Sequence, residues 1–289
     1  MRAMSNVFLR MVFSCLVSGL VVITAAGQSD VSKQSGTGDE IKARELLNRG
    51  VLAYRNARFD DAIEDFKQAK ELDPDLLNAR LFLATAYATQ YIPGAPSDEN
   101  IRQGQQAIQE FKEVLDADPK NLTAIDGIGS MLYQMGGTPY DPEKLEESKD
   151  YNRKHIALKP EDPEPYYWIG LIDWSLAFRG NRQLRAEFNS SARHVLKDES
   201  PLPSALRAQF DEEYGATIAE GMESLKKAIE LHPDYDDAMA YLNLLYRQKA
   251  DTETSRDARA NDVKLADELV EKVKKIKQKQ MENQEPPGD

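Results

Sequence analysis

Ala62-Ile63-Glu64-Asp65-Phe66-Lys67-Gln68-Ala69-Lys70-Glu71-Leu72-Asp73-Pro74 reads as a helix with a fixed end. Pro74 has no N–H to continue a helix and restricts Asp73 before it, so the helix must stop there. Upstream, Gly50 and Ala62 are small where two antiparallel helices have to approach closely, and Phe66 fills the adjoining space. The same ending returns as Asp116-Ala117-Asp118-Pro119, Ala157-Leu158-Lys159-Pro160 and Glu230-Leu231-His232-Pro233. Five residues after the four prolines stand Ala79, Ala124, Pro165 and Ala238. Nine after stand Leu83, Ile128, Ile169 and Leu242; ten after stand Ala84, Gly129, Gly170 and Asn243. A register kept four times, with small residues in phase, means that one supersecondary unit is stacked repeatedly.

The order Gly50, Ala62-x-x-x-Phe66, Ala69, Pro74 resembles the tetratricopeptide repeat. Unit 1 departs from that pattern at Leu46 in place of Trp, at Arg49 in place of Leu, and at Tyr54, one residue late. Unit 2 carries Leu83, Ala84 and Tyr87, then Ala107 with Phe111. Unit 3 keeps Ile128 and Gly129 but has Ser148 and Asn152 where Ala and Phe are usual. Unit 4 has Tyr166, Ile169 and Gly170, with a second helix around Ala228 and Ile229. Unit 5 opens at Ala238-Met239 with Leu242 and Tyr246, and its second helix runs from Asp262 to about Gln280. The resemblance implies an all-α fold: a right-handed superhelical array of antiparallel helix pairs, an α-solenoid of about five units. They fall at about 43–76, 77–121, 122–162, 163–235 and 236–282.

The distance from small residue to proline shows where the chain leaves the repeat. It is 24 residues from Gly50 to Pro74, 35 from Ala84 to Pro119, 31 from Gly129 to Pro160 and 63 from Gly170 to Pro233. The excess falls between the two helices of a unit, where it disturbs neither core nor junction. Tyr91–Ser97 and Gly136–Pro142 have turn chemistry. The largest excess, about 179–214, has helical signals on either side of Pro201 and Pro203 and is expected to form an extra helical hairpin.

Residues 1–27 read as a secretory signal, with Arg2 and Arg10, an apolar run over Met11–Ala26, and Ala25-Ala26-Gly27 for cleavage. The run is short for a span of about 20 apolar residues. Export to a periplasmic or secreted location follows as an expectation, with residues 28–39 and 283–289 as disordered polar ends. Cys15 is the single cysteine, so the exported chain would have no disulfide. The net charge of −12 becomes two charges more negative without the leader, which has no acid. Such a surface argues against nucleic acid and anionic lipid as partners. The stretch with Lys272, Lys274, Lys275, Lys277 and Lys279 is a local exception, on a helix with its own apolar stripe.

No catalytic constellation is legible, and no cofactor is implied. His155, His194 and His232 fall in distant units, without zinc spacing, and no P-loop or H-E-x-x-H occurs. The carboxylates of Asp60-Asp61, Asp211-Glu212-Glu213 and Asp234–Asp237 read as solvated or capping. What remains is a surface. The family resemblance implies that the first helix of each unit lines a concave groove that takes peptide segments. Carried over residue by residue, the groove candidates are Tyr54, Arg55, Thr85, Thr89, Tyr133, Gln134, Tyr167, Trp174, Tyr241 and Arg247. Aromatic and Arg side chains suit such a role because they bury much area with few rotors. Leu47 and Val51 occupy the face where a carboxylate clamp of Lys and Asn would sit, so that specialisation is not expected. The reading is a monomeric, non-enzymatic module for a protein or peptide partner. Two alternatives stay open: a structural subunit docked through the insertions and the basic helix, and a carbohydrate-binding protein or hydrolase using Trp168, Trp174 and nearby acids such as Asp173.

Overall fold

The computed structural model describes residues 37–191, 195–198 and 200–282. The expected signal, most of the 28–39 linker, His194 and the 283–289 tail lie outside them. Among the described residues there are ten helices and no strand. They are α1 (Gly38–Arg55), α2 (Phe59–Leu72), α3 (Leu77–Gln90), α4 (Asp98–Ala117) and α5 (Leu122–Gly137). There follow α6 (Pro142–Leu158), α7 (Pro163–Ser191), α8 (Ser204–Leu231), α9 (Asp236–Thr252) and α10 (Arg256–Glu282). The first helix begins inside the stretch expected as linker. Thr37 caps it by accepting the Glu40 N–H at 3.3 Å, so Gly38 and Asp39 are helical.

The four proline endings fold into one turn conformation. The residues before them, Asp73, Asp118, Lys159 and His232, have φ/ψ of −137/87, −133/86, −141/76 and −134/90. Each donates its N–H to the carbonyl four residues back, on Ala69, Val114, His155 and Ala228. Each carbonyl then accepts from the residue three ahead: Leu76, Asn121, Asp162 and Tyr235. The extended φ/ψ is what a following proline demands, and the paired hydrogen bonds satisfy carbonyls that the helix end would leave orphaned.

The chain divides at Ile128/Gly129 into two compact units. In the first, α1 and α2 close tightly because position 50 is glycine; an added Cβ would stand 2.5 Å from the Phe66 ring. Phe66 is fully enclosed and stacks on Phe82 of α3, with centroids 5.7 Å apart. Leu46, Ala69 and Ala79 join the three helices in one apolar cluster. The Tyr91–Ser97 insertion is held by Asn100. Its amide accepts the Ile92 N–H at 2.7 Å and donates to the carbonyls of Ile92 and Ala95 at 2.8 and 3.0 Å.

In the second unit the 179–214 segment forms no helix pair of its own. It is the far end of α7 and the near end of α8, which run 29 and 28 residues. The reason is continuous contact: Gly170 faces Leu225, Gly180 faces the Tyr214 ring, and Gly221 leaves room for Asp173, whose Cβ would lie 2.7 Å from an added Cβ. Small residues at intervals along both helices keep them close past the point where a shorter unit would turn. The connecting loop is fastened by Arg185, which is 4% exposed. It donates to the carbonyls of Lys197 and Ser200, both at 3.0 Å, to Asn181 Oδ1 at 2.6 Å, and to Asp251 Oδ2 of α9 at 2.8 Å.

Candidate functional site

The groove candidates separate by what surrounds them. In the first unit, Tyr54 Oη and Thr89 Oγ1 meet at 2.8 Å, which joins α1 to α3, and Arg55 is exposed beside them in sequence. Thr85 is enclosed, and its hydroxyl donates to the Leu81 carbonyl within its own helix, so it presents nothing to a partner.

In the second unit the candidates come together as an aromatic face across α5, α7 and α9. Tyr133 of α5 meets Trp168 edge to face at 5.2 Å. Tyr241 of α9 meets Trp174 at 5.2 Å and Tyr167 at 5.8 Å, and Trp174 stacks on Phe178 at 5.2 Å. Tyr167 is 1% exposed and serves as the floor of this face. Tyr133, Trp168, Trp174 and Tyr241 are half-buried, and Phe178 is exposed. Large half-exposed rings that are already fixed against one another offer contact area at little conformational cost. Gln134 interacts with Ser130 one turn back on α5. Arg247 points elsewhere: it donates to Asn243 at 3.0 Å and to Asp267 of α10 at 2.7 Å.

Sequence reasoning missed Phe178 and Arg182 and gave Trp168 only to the carbohydrate reading. With α7 taken as continuous to residue 191, positions 164, 168, 175, 178 and 182 recur on one side of a helix. Only Arg182 lay beyond the helix end expected near 179; Phe178 was already in phase with Trp168 inside the helix read from sequence.

Charge on the face is uneven. At the N-terminal ends of α7 and α9, Glu164 accepts from Tyr235 Oη at 2.8 Å. Asp237 lies near enough to Tyr167 and Tyr241 to raise both phenol pKa values, after burial, which is the larger cause. Burial also pushes the Asp237 carboxyl up, Asp236 adds to it, and Lys277 opposes it. Toward the other end Arg179 lies 4.6 Å from the Tyr140 ring and donates to the Gly137 carbonyl at 3.1 Å. Arg182 lies 5.9 Å from the Phe178 ring and 3.4 Å from Asp198.

Asp173, the acid of the hydrolase alternative, is not on this face. It is fully enclosed between α6, α7 and α8, with Oδ1 2.5 Å from Lys149 Nζ. Lys149 is itself 2% exposed and also reaches Glu220 at 2.9 Å and Glu146 at 3.2 Å. Arg153 joins Glu220 at 2.5 Å. Burial pushes the Asp173 carboxyl up to about 7, against the pull of Lys149. One ammonium shared among three carboxylates leaves the enclosed Asp173 incompletely compensated. A carboxylate sealed behind the helices cannot serve as acid or base to a sugar beside Trp168 and Trp174. Of the sequence-level carboxylate groups, Asp60-Asp61 and Asp236-Asp237 lie in first helical turns, whereas Asp211-Glu212-Glu213 lie inside α8. His155 Nε2 is 3.4 Å from Asp162, and His232 caps α8.

Among the described residues no group of three or more His, Cys, Asp or Glu side chains is placed to hold a metal ion. Nor is any helix there long and apolar enough to cross a membrane.

Comparison with known proteins agrees with the helical arithmetic. Residues 43–76 match the tetratricopeptide repeat family. No curated protein matches the chain by sequence. Among solved structures, MamA aligns at 16% identity with a TM-score of 0.55, covering 86% of this chain and 98% of that one. MamA from residue 41 to its end, from Desulfovibrio magneticus RS-1, aligns at 18% identity with a TM-score of 0.53, covering 83% and 97%. YrrB, described as a TPR protein with an unusual peptide-binding site, aligns at 15% identity with a TM-score of 0.49, covering 82% and 92%. At these identities the likeness concerns the fold alone. A tetratricopeptide repeat is thus matched in sequence at 43–76, and the described residues around it fold into the helices that its register requires.

Proposed function

We propose that this protein is an exported, non-catalytic interaction module that holds a peptide segment of a partner protein on the aromatic face of α5, α7 and α9. One observation carries the reading: five large rings from three helices stay half-buried or exposed in two contacting groups, Tyr133 with Trp168 and Trp174 with Phe178 and Tyr241, joined through the enclosed Tyr167. Enclosure of Asp173 takes that acid out of reach of a ligand beside Trp168 and Trp174. Export rests on the leader-like residues 1–27 and is tested by sequencing the N-terminus of the protein recovered from its native cells.

A second reading is favoured by the first unit. Asn100 fixes the 92–95 loop so that Ile92 is 63% exposed and Ile101 42% exposed, an apolar spot on a rigid support. A structural subunit would dock there. Photo-crosslinking from position 178 and from position 92 in living cells separates the two. A partner captured from 178 and not from 92 supports the peptide module; capture from 92 alone transfers the function to the insertion.

A further inference from the structure

The aromatic face has electrical polarity, and that polarity specifies what it takes. Glu164 and Asp237 sit by Tyr167, Tyr235 and Tyr241 at the starts of α7 and α9. Arg179 and Arg182 sit beyond Phe178, fifteen and eighteen residues further along α7. Between them lie the Tyr133–Trp168 and Trp174–Tyr241 ring pairs, with no charged side chain on α7 except the enclosed Asp173. Resting on the groove reading above, we propose that this site takes an extended peptide carrying a basic residue at one end and an acidic residue at the other. The Lys or Arg of the peptide lies against the rings beside Glu164 and Asp237, and its Asp or Glu faces Arg182.

Three features support the assignment. A cation over Trp or Tyr faces is attracted by the ring quadrupole, and adjacent carboxylates reinforce it when water is excluded. Asp237 is pushed toward its neutral form by burial and by Asp236, so a ligand cation would supply the countercharge it lacks beyond Lys277. At the other end Arg182 is 61% exposed, and its contact with Asp198, itself 73% exposed, is a loose 3.4 Å. Exposed pairs of that kind are weak and exchange readily. Arg179, by contrast, is engaged by the Gly137 carbonyl and the Tyr140 ring and acts as a wall. From Glu164 to Arg182 the helix rises about 27 Å at 1.5 Å per residue. An extended chain covers that in about eight residues at 3.3 Å each.

The test is selection of random dodecapeptides displayed on phage, panned on the full-length protein and counted by sequencing. The expected result is enrichment of peptides with Lys or Arg and Asp or Glu seven to nine positions apart. A synthetic peptide from that set should lose about tenfold in affinity against Arg182→Glu and recover when its own acid is changed to Lys. It should also weaken against Asp237→Asn. Enriched peptides that are uncharged or of one sign, and that still need Phe178 and Tyr241, would overturn the charge assignment and leave the groove reading standing. Peptides that bind Phe178→Ala and Tyr241→Ala as tightly as the wild type, or no enrichment at all, would overturn both. Phe178 is a surface ring, so its variant tests the site without threatening the fold.

Discussion

Replacing Lys149 by Met removes the one cation that reaches Asp173 and leaves the stem volume nearly unchanged. The consequence has a pH signature. In the folded protein burial holds Asp173 at about 7, against 3.8 in an ordinary carboxyl. A group whose folded pKa is raised favours folding fully below the unfolded value and loses that advantage as pH rises through the folded value. Without Lys149 the folded pKa rises further, because burial stays and the opposing attraction goes. At pH 6 the carboxyl is protonated in folded wild type and variant alike, so the titration adds nothing to their difference. Above pH 7 the wild type ionises Asp173 and the variant must keep it protonated. The difference then grows by about 1.4 kcal/mol for each pH unit. It adds to a pH-independent loss from Glu220 and Glu146, and the total at pH 8 should reach the few kcal/mol typical of breaking a buried pair, about 3–5 kcal/mol. Tryptophan fluorescence during urea unfolding reads it directly, since the only two tryptophans, Trp168 and Trp174, flank Asp173 on α7. Equal losses at pH 6 and pH 8.5 would refute the reasoning. So would a pH slope that persists when Asp173→Asn is added to the variant.

Other outcomes follow from packing. Gly180→Ala forces the Tyr214 ring aside, and should cost about 1–3 kcal/mol in the same unfolding measurement. Asn100→Ala removes three hydrogen bonds from the 92–95 loop; limited proteolysis should then cut between residues 92 and 97, where the wild type resists. Ala57 has φ of 56° in the turn between α1 and α2, so Ala57→Gly should raise stability by about 0.5–1 kcal/mol by relieving left-handed strain. No gain in the denaturation midpoint would show that the turn relaxes by another route.

The junctions were legible because their information is local. A proline, the residue before it and a few carbonyls decide the turn, and four copies at Asp73, Asp118, Lys159 and His232 announce themselves in one sequence. Gly50 and Phe66 were legible for a related reason, since both lie inside one repeat. What escaped depends on partners that sequence distance hides. Lys149, Asp173 and Glu220 come from three helices and meet only because Gly221 lets α8 approach α7. The extension of α7 to residue 191 escaped because Pro201 and Pro203, read as the middle of a separate hairpin, instead terminate the loop before α8. Thr85 and Arg247 share the helical phase of groove residues, yet the first turns back on its own backbone and the second reaches α10. Phase locates a Cα; it does not decide where a hydroxyl or a guanidinium finds its partner.

The Arg185 clasp has a consequence for the order in which the molecule comes apart. In a linear array the last repeat has one neighbour and ordinarily frays first. Here the α9–α10 pair is latched. Asp251, near the end of α9, accepts from Arg185 of α7 and from Arg259 of α10 at 2.8 and 2.9 Å, and Arg185 also grips the α7–α8 loop. Opening α9 alone would strand a buried guanidinium, so α9 and the tip of α7–α8 should exchange their amide hydrogens together, as one cooperative block. The integrity of the α9–α10 pair therefore depends on a side chain from the helix pair before it, and the long ends of α7 and α8 work as its latch.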